Sequence, residues 1–317
     1  MEVSVIIVNW NSKAYLRECL TSLFQYVRSI KYEVIVVDGA SFDGCGEMLS
    51  QEFPSVTFIQ SPENVGFARA NNLGARHARG PHLLLLNPDT LFVEDSLETM
   101  HGALKSIPKA AAVGCRLLNT DRSLQTSSVL TFPTILNRIV DSEFLRRRFP
   151  SISLWGVASL YSKDSQPSEV EAVSGACLLV KREKFEQVGG FTESYFMYGE
   201  DVELCYKLWR VGGKVLHVPN AKLVHFGGGS SSRAASNFST VMMRESWYRF
   251  IRVHRGAAAA FGYRVGMAIS ALIRLVFIPP LFLFGRHVVR HGKGSLGKWL
   301  AVLKWSLGMS QLHRKPS

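Results

Sequence analysis

Two apolar periods alternate along the first ninety residues. Short β-branched or leucine runs at 3–8 (VSVIIV), 33–37 (EVIVV), 56–60 and 82–86 (HLLLL) read as strands covered on both faces. Between the first two, Tyr15, Leu16, Cys19, Leu20, Leu23, Phe24 and Val27 recur at helical spacing behind Ser12, a candidate N-cap. Shorter helices are predicted at 43–51 and 66–78. Strand alternating with helix predicts right-handed crossovers and a mostly parallel, doubly wound α/β sheet. From about 117 to 170 the periodicity fades into a loop-rich stretch holding Arg146, Arg147 and Arg148. Regularity returns at 171–180, in a helix at 200–211 and in a strand at 214–218. The Gly/Ser-rich run 227–236 reads as a mobile segment, and the body is expected to end near 240.

The chain has 317 residues, 47% of them hydrophobic and 20% charged, which excludes a disordered or collagen-like polymer. Its net charge of +12 is unevenly placed. Residues 1–240 are neutral as a block, whereas 241–317 carry thirteen Lys/Arg against one acid, Glu245. Within this basic appendix, 256–285 contain only Arg264 and Arg274 as charges. A spanning helix needs about 20 apolar residues. Here the longest uncharged run is Leu275–Gly285, and Pro279-Pro280 is expected to break the helix. With basic flanks suited to an anionic leaflet, the favoured reading is an interfacial or re-entrant membrane anchor. A true span and a helical hairpin packed on the body are the alternatives. Nucleic acid is not expected as a partner, because phosphate binding does not require the adjoining apolar run.

The five cysteines are scattered without a CxxC, which fits reduced thiols in a cytosolic compartment better than zinc or disulfides. The N-terminal apolar run is short and lacks a basic flank, so it reads as a strand and not a signal peptide. GKGSLGKW at 292–299 resembles a P-loop but has Trp299 in place of Ser/Thr and no preceding strand. His287 and His291 lie four apart without the zincin glutamate.

In an open parallel sheet, ligands bind beyond the carboxyl ends of the strands. Those ends read Asn9-Trp10-Asn11, Asp38-Gly39 and Asn87-Pro88-Asp89. Each has a plain alternative as a turn former, but three on one edge suit a nucleotide. Asp89, held behind a rigid proline, suits a hard divalent ion clamping a diphosphate. Its alternative is a helix N-cap before Val93-Glu94-Asp95. Glu200-Asp201 opens a helix, where the macrodipole alone favours acids.

On these residues the chain resembles glycosyltransferase family 2. VSVIIVNWN, EVIVVDGASFDG, NVGFARANNLGARHARGPHLLLLNPDT and GACLLVKREKFEQVGGFTESYFMYGEDVELCYKLWRVGG look like its successive blocks, most similar to the bacterial rhamnosyltransferase-like branch. The resemblance covers residues 3 to about 228. It implies a glycosyltransferase A-type fold over 1–240, with 241–317 as a helical membrane-associating region, a nucleotide-sugar donor and Mg2+ or Mn2+. By position, Asn9 and Asp38 meet the nucleobase side, and Asn64, Phe67 and Asn71 line the nucleotide cleft. Asn87 and Asp89 stand where the family has Asp-x-Asp, with Asp89 facing the ribose, diphosphate and metal; one carboxylate is missing. Asp201 becomes the general base, Glu200 positions the acceptor, and His225 faces the metal or diphosphate. Gly175-Ala176-Cys177 forms the acceptor-side floor.

The expected activity is inverting transfer of a sugar, L-rhamnose from its dTDP donor before a UDP-hexose, to a lipid-linked saccharide of a surface polysaccharide. The expected location is the cytoplasmic face of the plasma membrane, peripheral or monotopic. The alternatives are a catalytically silent sugar-nucleotide-binding regulator and a membrane-surface scaffold.

Overall fold

The structure, a computed structural model, describes residues 1–140, 148, 149, 152, 154, 166–227, 236–281 and 286–309. Arg146, Arg147 and most of the Gly/Ser-rich run therefore lie outside the described residues; Arg148 lies over the Phe149 ring. Two compact units are present, 1–132 with 142–230 and 133–141 with 231–317.

The first unit alternates as its sequence period dictates: β1 (Val3–Asn9), α1 (Lys13–Tyr26), β2 (Tyr32–Asp38), α2 (Cys45–Glu52), β3 (Thr57–Gln60), α3 (Phe67–His77) and β4 (His82–Leu86). There follow β5 (Thr90–Phe92), α4 (Ser96–Ser106), β6 (Ala110–Leu118) and β7 (Val129–Leu130). In the second unit α5 (Ile135–Ile139) is closed by a Thr134–Asn137 capping box. The first unit resumes with β8 (Ser168–Glu169), β9 (Ala172–Val173), β10 (Cys177–Lys181), α6 (Arg182–Gln187), α7 (Glu200–Arg210) and β11 (Lys214–His225). Nine strands form one sheet in the order β3-β2-β1-β4-β10-β6-β11-β5, with β8 beside β11. The first four are mutually parallel; β10 runs against both β4 and β6, and β5 and β8 run against β11. The sheet is thus mostly parallel but mixed. Apolar faces of α1, α2 and α4 pack on one side through Leu16, Leu20, Leu23, Met48, Leu49, Leu97, Met100 and Leu104, all buried. Each such side chain contributes about 1.5–3 kcal/mol on burial. All five cysteines are buried and unpaired in disulfides.

Three local expectations are corrected. Ser12 occupies the N-cap position, but its hydroxyl donates to Trp10 O; the Lys13 N–H is taken instead by Asp43. The strand expected at 214–218 runs on to His225, across a register shift between Val218 and Lys222 where Pro219 cannot donate to the ladder. In the second unit α8 (Ser236–Arg255), α9 (Ala257–Leu281) and α10 (Arg286–Ser306) are all helical. Pro279 and Pro280 therefore fall in the last turn of α9 and do not interrupt it. Residues 292–299, whose P-loop likeness is rejected above, are indeed helix. By length and composition, Ala257–Phe277 is apolar enough to cross a membrane.

Candidate active site

The parallel strands deliver their polar ends to one edge. Asn9 and Asp38 are register partners in β1 and β2, and both are fully buried. Asp38 Oδ1 accepts from Asn9 Nδ2 at 2.8 Å and from the Cys45 thiol; Oδ2 accepts from Ser41 N–H at 2.7 Å and Gln60 Nε2 at 2.8 Å. Burial works to raise the Asp38 pKa, but the hydrogen bonds from Ser41, Asn9 and Gln60 together outweigh it and hold it below its ordinary value. This carboxylate fixes the 38–41 loop, while Asn9 Oδ1 is left buried without a partner. Gly39 lies against Trp10 and Asn64, so the loops after β1, β2 and β3 converge.

Asn64 Oδ1 accepts from Gly66 N–H and so sets the start of α3. Gly66 has φ +83°, and a Cβ there would lie 2.5 Å from Phe196 O. That close approach lets Phe67 N–H donate to Phe196 O at 2.9 Å. One turn along α3, Asn71 is buried and turns its amide back to Phe67 O, leaving Oδ1 without a partner. Asn72, which sequence reasoning missed, clamps Phe191 through both its amide oxygen and nitrogen. Its signal is its place in NVGFARANN, directly after Asn71.

The segment tied to Phe67 leads directly to the two acids. Tyr198 and Gly199 both have left-handed φ, +71° and +82°, a conformation costly for tyrosine. They turn the chain into α7 with Glu200 and Asp201 in its first turn. Asp201 Oδ2 accepts from Gly175 N–H and Oδ1 from Val202 N–H, each at 2.8 Å. A Cβ at Gly175 would sit 3.1 Å from Asp201 Cβ, so a side chain there would press on Asp201. The next residue, Ala176, accepts from Asn87 N–H at 3.0 Å. One turn thus joins the acid of α7 to the mouth of β4. Burial raises the Asp201 pKa, against the pull of the Gly175 and Val202 N–H groups. Glu200, buried with Oε2 unpartnered, is pushed up to about 8 by burial and by Asp201.

Asp89 follows β4 on the Asn87–Thr90 turn, closed by Thr90 Oγ1 donating to Asn87 O. It is not a helix cap, since Asp95 caps α4 by accepting from Glu98 N–H. Pairing of β5 with β11 sets His225 opposite Thr90, and Phe226 N–H donates to Asp89 O. His225 Nε2 then lies 3.3 Å from Asp89 Oδ1. Gln125 Nε2 donates to Asn119 Oδ1 and His225 O, which makes its Oε1 the acceptor for His225 Nδ1–H at 2.7 Å. In the neutral ring Nε2 therefore turns a lone pair toward a carboxylate. A proton or a shared cation sustains that contact. Adjacent ligands of a hard divalent ion are about 3 Å apart, so the pair fits Mg2+ or Mn2+. Among the described residues no group of three His, Cys, Asp or Glu could hold a metal, so two protein ligands would leave the remaining positions to substrate oxygens and water. Gln125 had no legible signal, since it lies where the periodicity fades.

The glycosyl transferase family 2 profile matches residues 4–189, and a profile described as the N-terminal domain of galactosyltransferase matches 157–227. The chain is 31% identical over 246 residues to N-acetylglucosaminyl-diphospho-decaprenol L-rhamnosyltransferase of Mycobacterium tuberculosis, covering 72% of this chain and 77% of that one. It is 28% identical to rhamnosyltransferase WbbL of Escherichia coli K12, over 71% of this chain and 83% of the relative. Among solved structures, the mannosyltransferase PcManGT of Pyrobaculum calidifontis, in complex with GDP-Man and Mn2+, superposes with a TM-score of 0.59 at 16% identity. It covers 97% of this chain and 86% of the other. GalNAc-T7 with UDP, GalNAc and Mn2+ gives 0.59 at 19% identity, covering 80% and 48%. These two likenesses show the fold, glycosyltransferase A-type. Profile, relatives and fold agree: this chain belongs to glycosyltransferase family 2.

Proposed function

We propose that this enzyme moves L-rhamnose from a dTDP-linked donor, with a UDP-hexose as the second choice, onto a lipid-linked saccharide with inversion at the anomeric carbon. The observation that carries the reading is the turn that bonds Asp201 to Gly175 and Asn87 to Ala176, setting a half-buried base beside the strand mouth of Asp89. The rhamnosyl choice is supported by the two relatives named as rhamnosyltransferases. The acceptor class is supported by the decaprenyl diphosphate in one of those names.

Asp201 takes the proton of the acceptor hydroxyl as its oxygen bonds to the anomeric carbon. The bond to the donor diphosphate breaks, and its electron pair leaves with the nucleoside diphosphate. A raised pKa brings this base toward the operating pH. Glu200, beside it, orients the acceptor. Asn9, Asp38, Asn64, Phe67 and Asn71 shape the nucleoside side of the cleft, and Asn87 anchors the mouth through Ala176. Asp89 and His225 would hold Mg2+ or Mn2+, which when bound neutralises charge growing on the leaving diphosphate. The basic, apolar C-terminal region supports a place at the cytoplasmic face of the plasma membrane.

The test is a donor panel on purified protein with Mg2+ or Mn2+: dTDP-rhamnose, UDP-glucose, UDP-galactose, UDP-N-acetylglucosamine and GDP-mannose, alongside Asp89→Ala. The expected result is metal-dependent binding and slow hydrolysis of dTDP-rhamnose, lost in the variant. Engagement of another donor alone overturns the rhamnosyl choice. No engagement of any donor by folded, membrane-reconstituted protein overturns the whole reading.

A further inference from the structure

Helix α9 has two unlike sides. Phe261, Val265, Ile269, Leu272, Ile273, Val276 and Phe277 are exposed, from 41% at Val265 to 69% at Phe261. At 100° per residue they make one uncharged apolar face. Ala260, Tyr263, Met267 and Ala271 fill the opposite, buried side. Both arginines of α9 fall on this inner side. Arg264 donates to Trp305 O at 2.9 Å and lies over the rings of Tyr248 and Trp305. Arg274 lies 4.2 Å over the Trp299 ring and donates to Ser270. The charges that counted against a membrane segment are therefore turned away from the apolar face.

The same contacts decide how that face meets a bilayer. α9 is bonded through its arginines to α8 and α10, whose Arg252, Arg255, Lys298 and Lys304 are exposed. A crossing α9 would drag these cations into hydrocarbon or lose the partners of Arg264 and Arg274. Glu245, the one acid in 241–317, is already engaged by Trp305 Nε1 and Arg249. The unit thus offers an apolar face, exposed cations on the two neighbouring helices and no free acid among its described residues, which complements an anionic membrane surface.

We infer that α9 lies in the plane of an anionic bilayer, apolar face down, as one piece with α8 and α10, and does not cross it. This rests on the membrane-surface reading above and states its geometry.

The test uses the full chain and preformed vesicles of phosphatidylglycerol and phosphatidylethanolamine. Flotation is expected with the anionic vesicles and about tenfold less with phosphatidylcholine alone. The triple variant Phe261→Glu, Ile269→Glu, Val276→Glu alters only exposed positions, so it is expected to stay folded by circular dichroism and to bind about 100-fold more weakly. Ala257→Cys and Arg286→Cys, at the start of α9 and just past its end, on a background of buried native cysteines, are expected to react equally with an impermeant maleimide on intact vesicles. Binding with one cysteine protected until detergent is added overturns the in-plane geometry and leaves the membrane reading standing. No flotation overturns both, and a dimer abolished by the triple variant would then assign the face to a second copy of the chain.

Discussion

Asp201 has both carboxylate oxygens on backbone N–H groups, an arrangement that orients it without neutralising it. Asp201→Asn keeps an oxygen for Gly175 N–H but has no basic site. The expected outcome in a transfer assay is a kcat lower by about 10²–10⁴-fold, with the donor KM little changed. Glu200 gives a pH signature of its own. Its folded pKa, about 8, is raised above its ordinary 4.5, chiefly by burial. The unfolded chain therefore releases this proton first as pH rises, and the folded state loses stability between those two values. Glu200→Gln removes the liability: thermal melts are expected to converge with wild type near pH 5 and to favour the variant increasingly toward pH 8. Melts that stay parallel across that window would refute the buried acid. At this scale the sequence offered the residue types but not their couplings. Asn9 and Asp38 could be placed at strand ends, yet that they bond to each other depends on strand order. Gln125 serves the site from a stretch that carries no period and no motif, and Asn72 from a motif block in which its clamp on Phe191 is a tertiary contact.

The elements were legible where one period ran cleanly. β1, β2, β4, α1 and α7 follow from their apolar spacing within a residue or a few. β6 did not, because AAAVGCRLL carries small residues that mark no face. Nor did the direction of β10, since a leucine-rich strand buried on both faces reads alike in parallel and antiparallel pairing. The 190–199 segment joins elements instead of being one, and its hold on α3 is the more informative target. Gly66→Ala adds a Cβ 2.5 Å from Phe196 O at a φ of +83°, so the Phe67–Phe196 hydrogen bond must open. Since a 1 Å misplacement costs on the order of 10²-fold, kcat/KM is expected to fall by about that factor through loss of register between α3 and α7. The sheet stays folded by circular dichroism. An unchanged kcat/KM would show that this joint does not position the acids.

At the scale of the molecule, charge is divided as sharply as structure: a neutral block to residue 240 and a +12 remainder. The pattern along the chain revealed the basic, apolar C-terminal region, but not which way its arginines face. The sequence favours an interfacial or re-entrant anchor over a span, but the contacts of Arg264 and Arg274 with Trp305 and Trp299 are tertiary and have no periodic signal. Under the proposed function, this division of charge along the chain makes a specific demand on salt. Screening shortens the reach of surface charge from about 14 Å at 50 mM to about 4 Å at 500 mM ionic strength. Transfer to an acceptor held in anionic vesicles is therefore expected to fall by about tenfold or more over that range, since several cations lose their attraction together. Transfer to a short, water-soluble analogue of the same acceptor is expected to change by less than about twofold, because the Asp201 and Asp89 surroundings are buried and screened little by salt. Equal salt sensitivity on both acceptors would place the effect in the catalytic cleft and remove the basic unit from substrate delivery. A salt effect confined to the vesicle acceptor assigns the two halves their separate work, one concentrating the enzyme where its acceptor lies and the other performing the transfer.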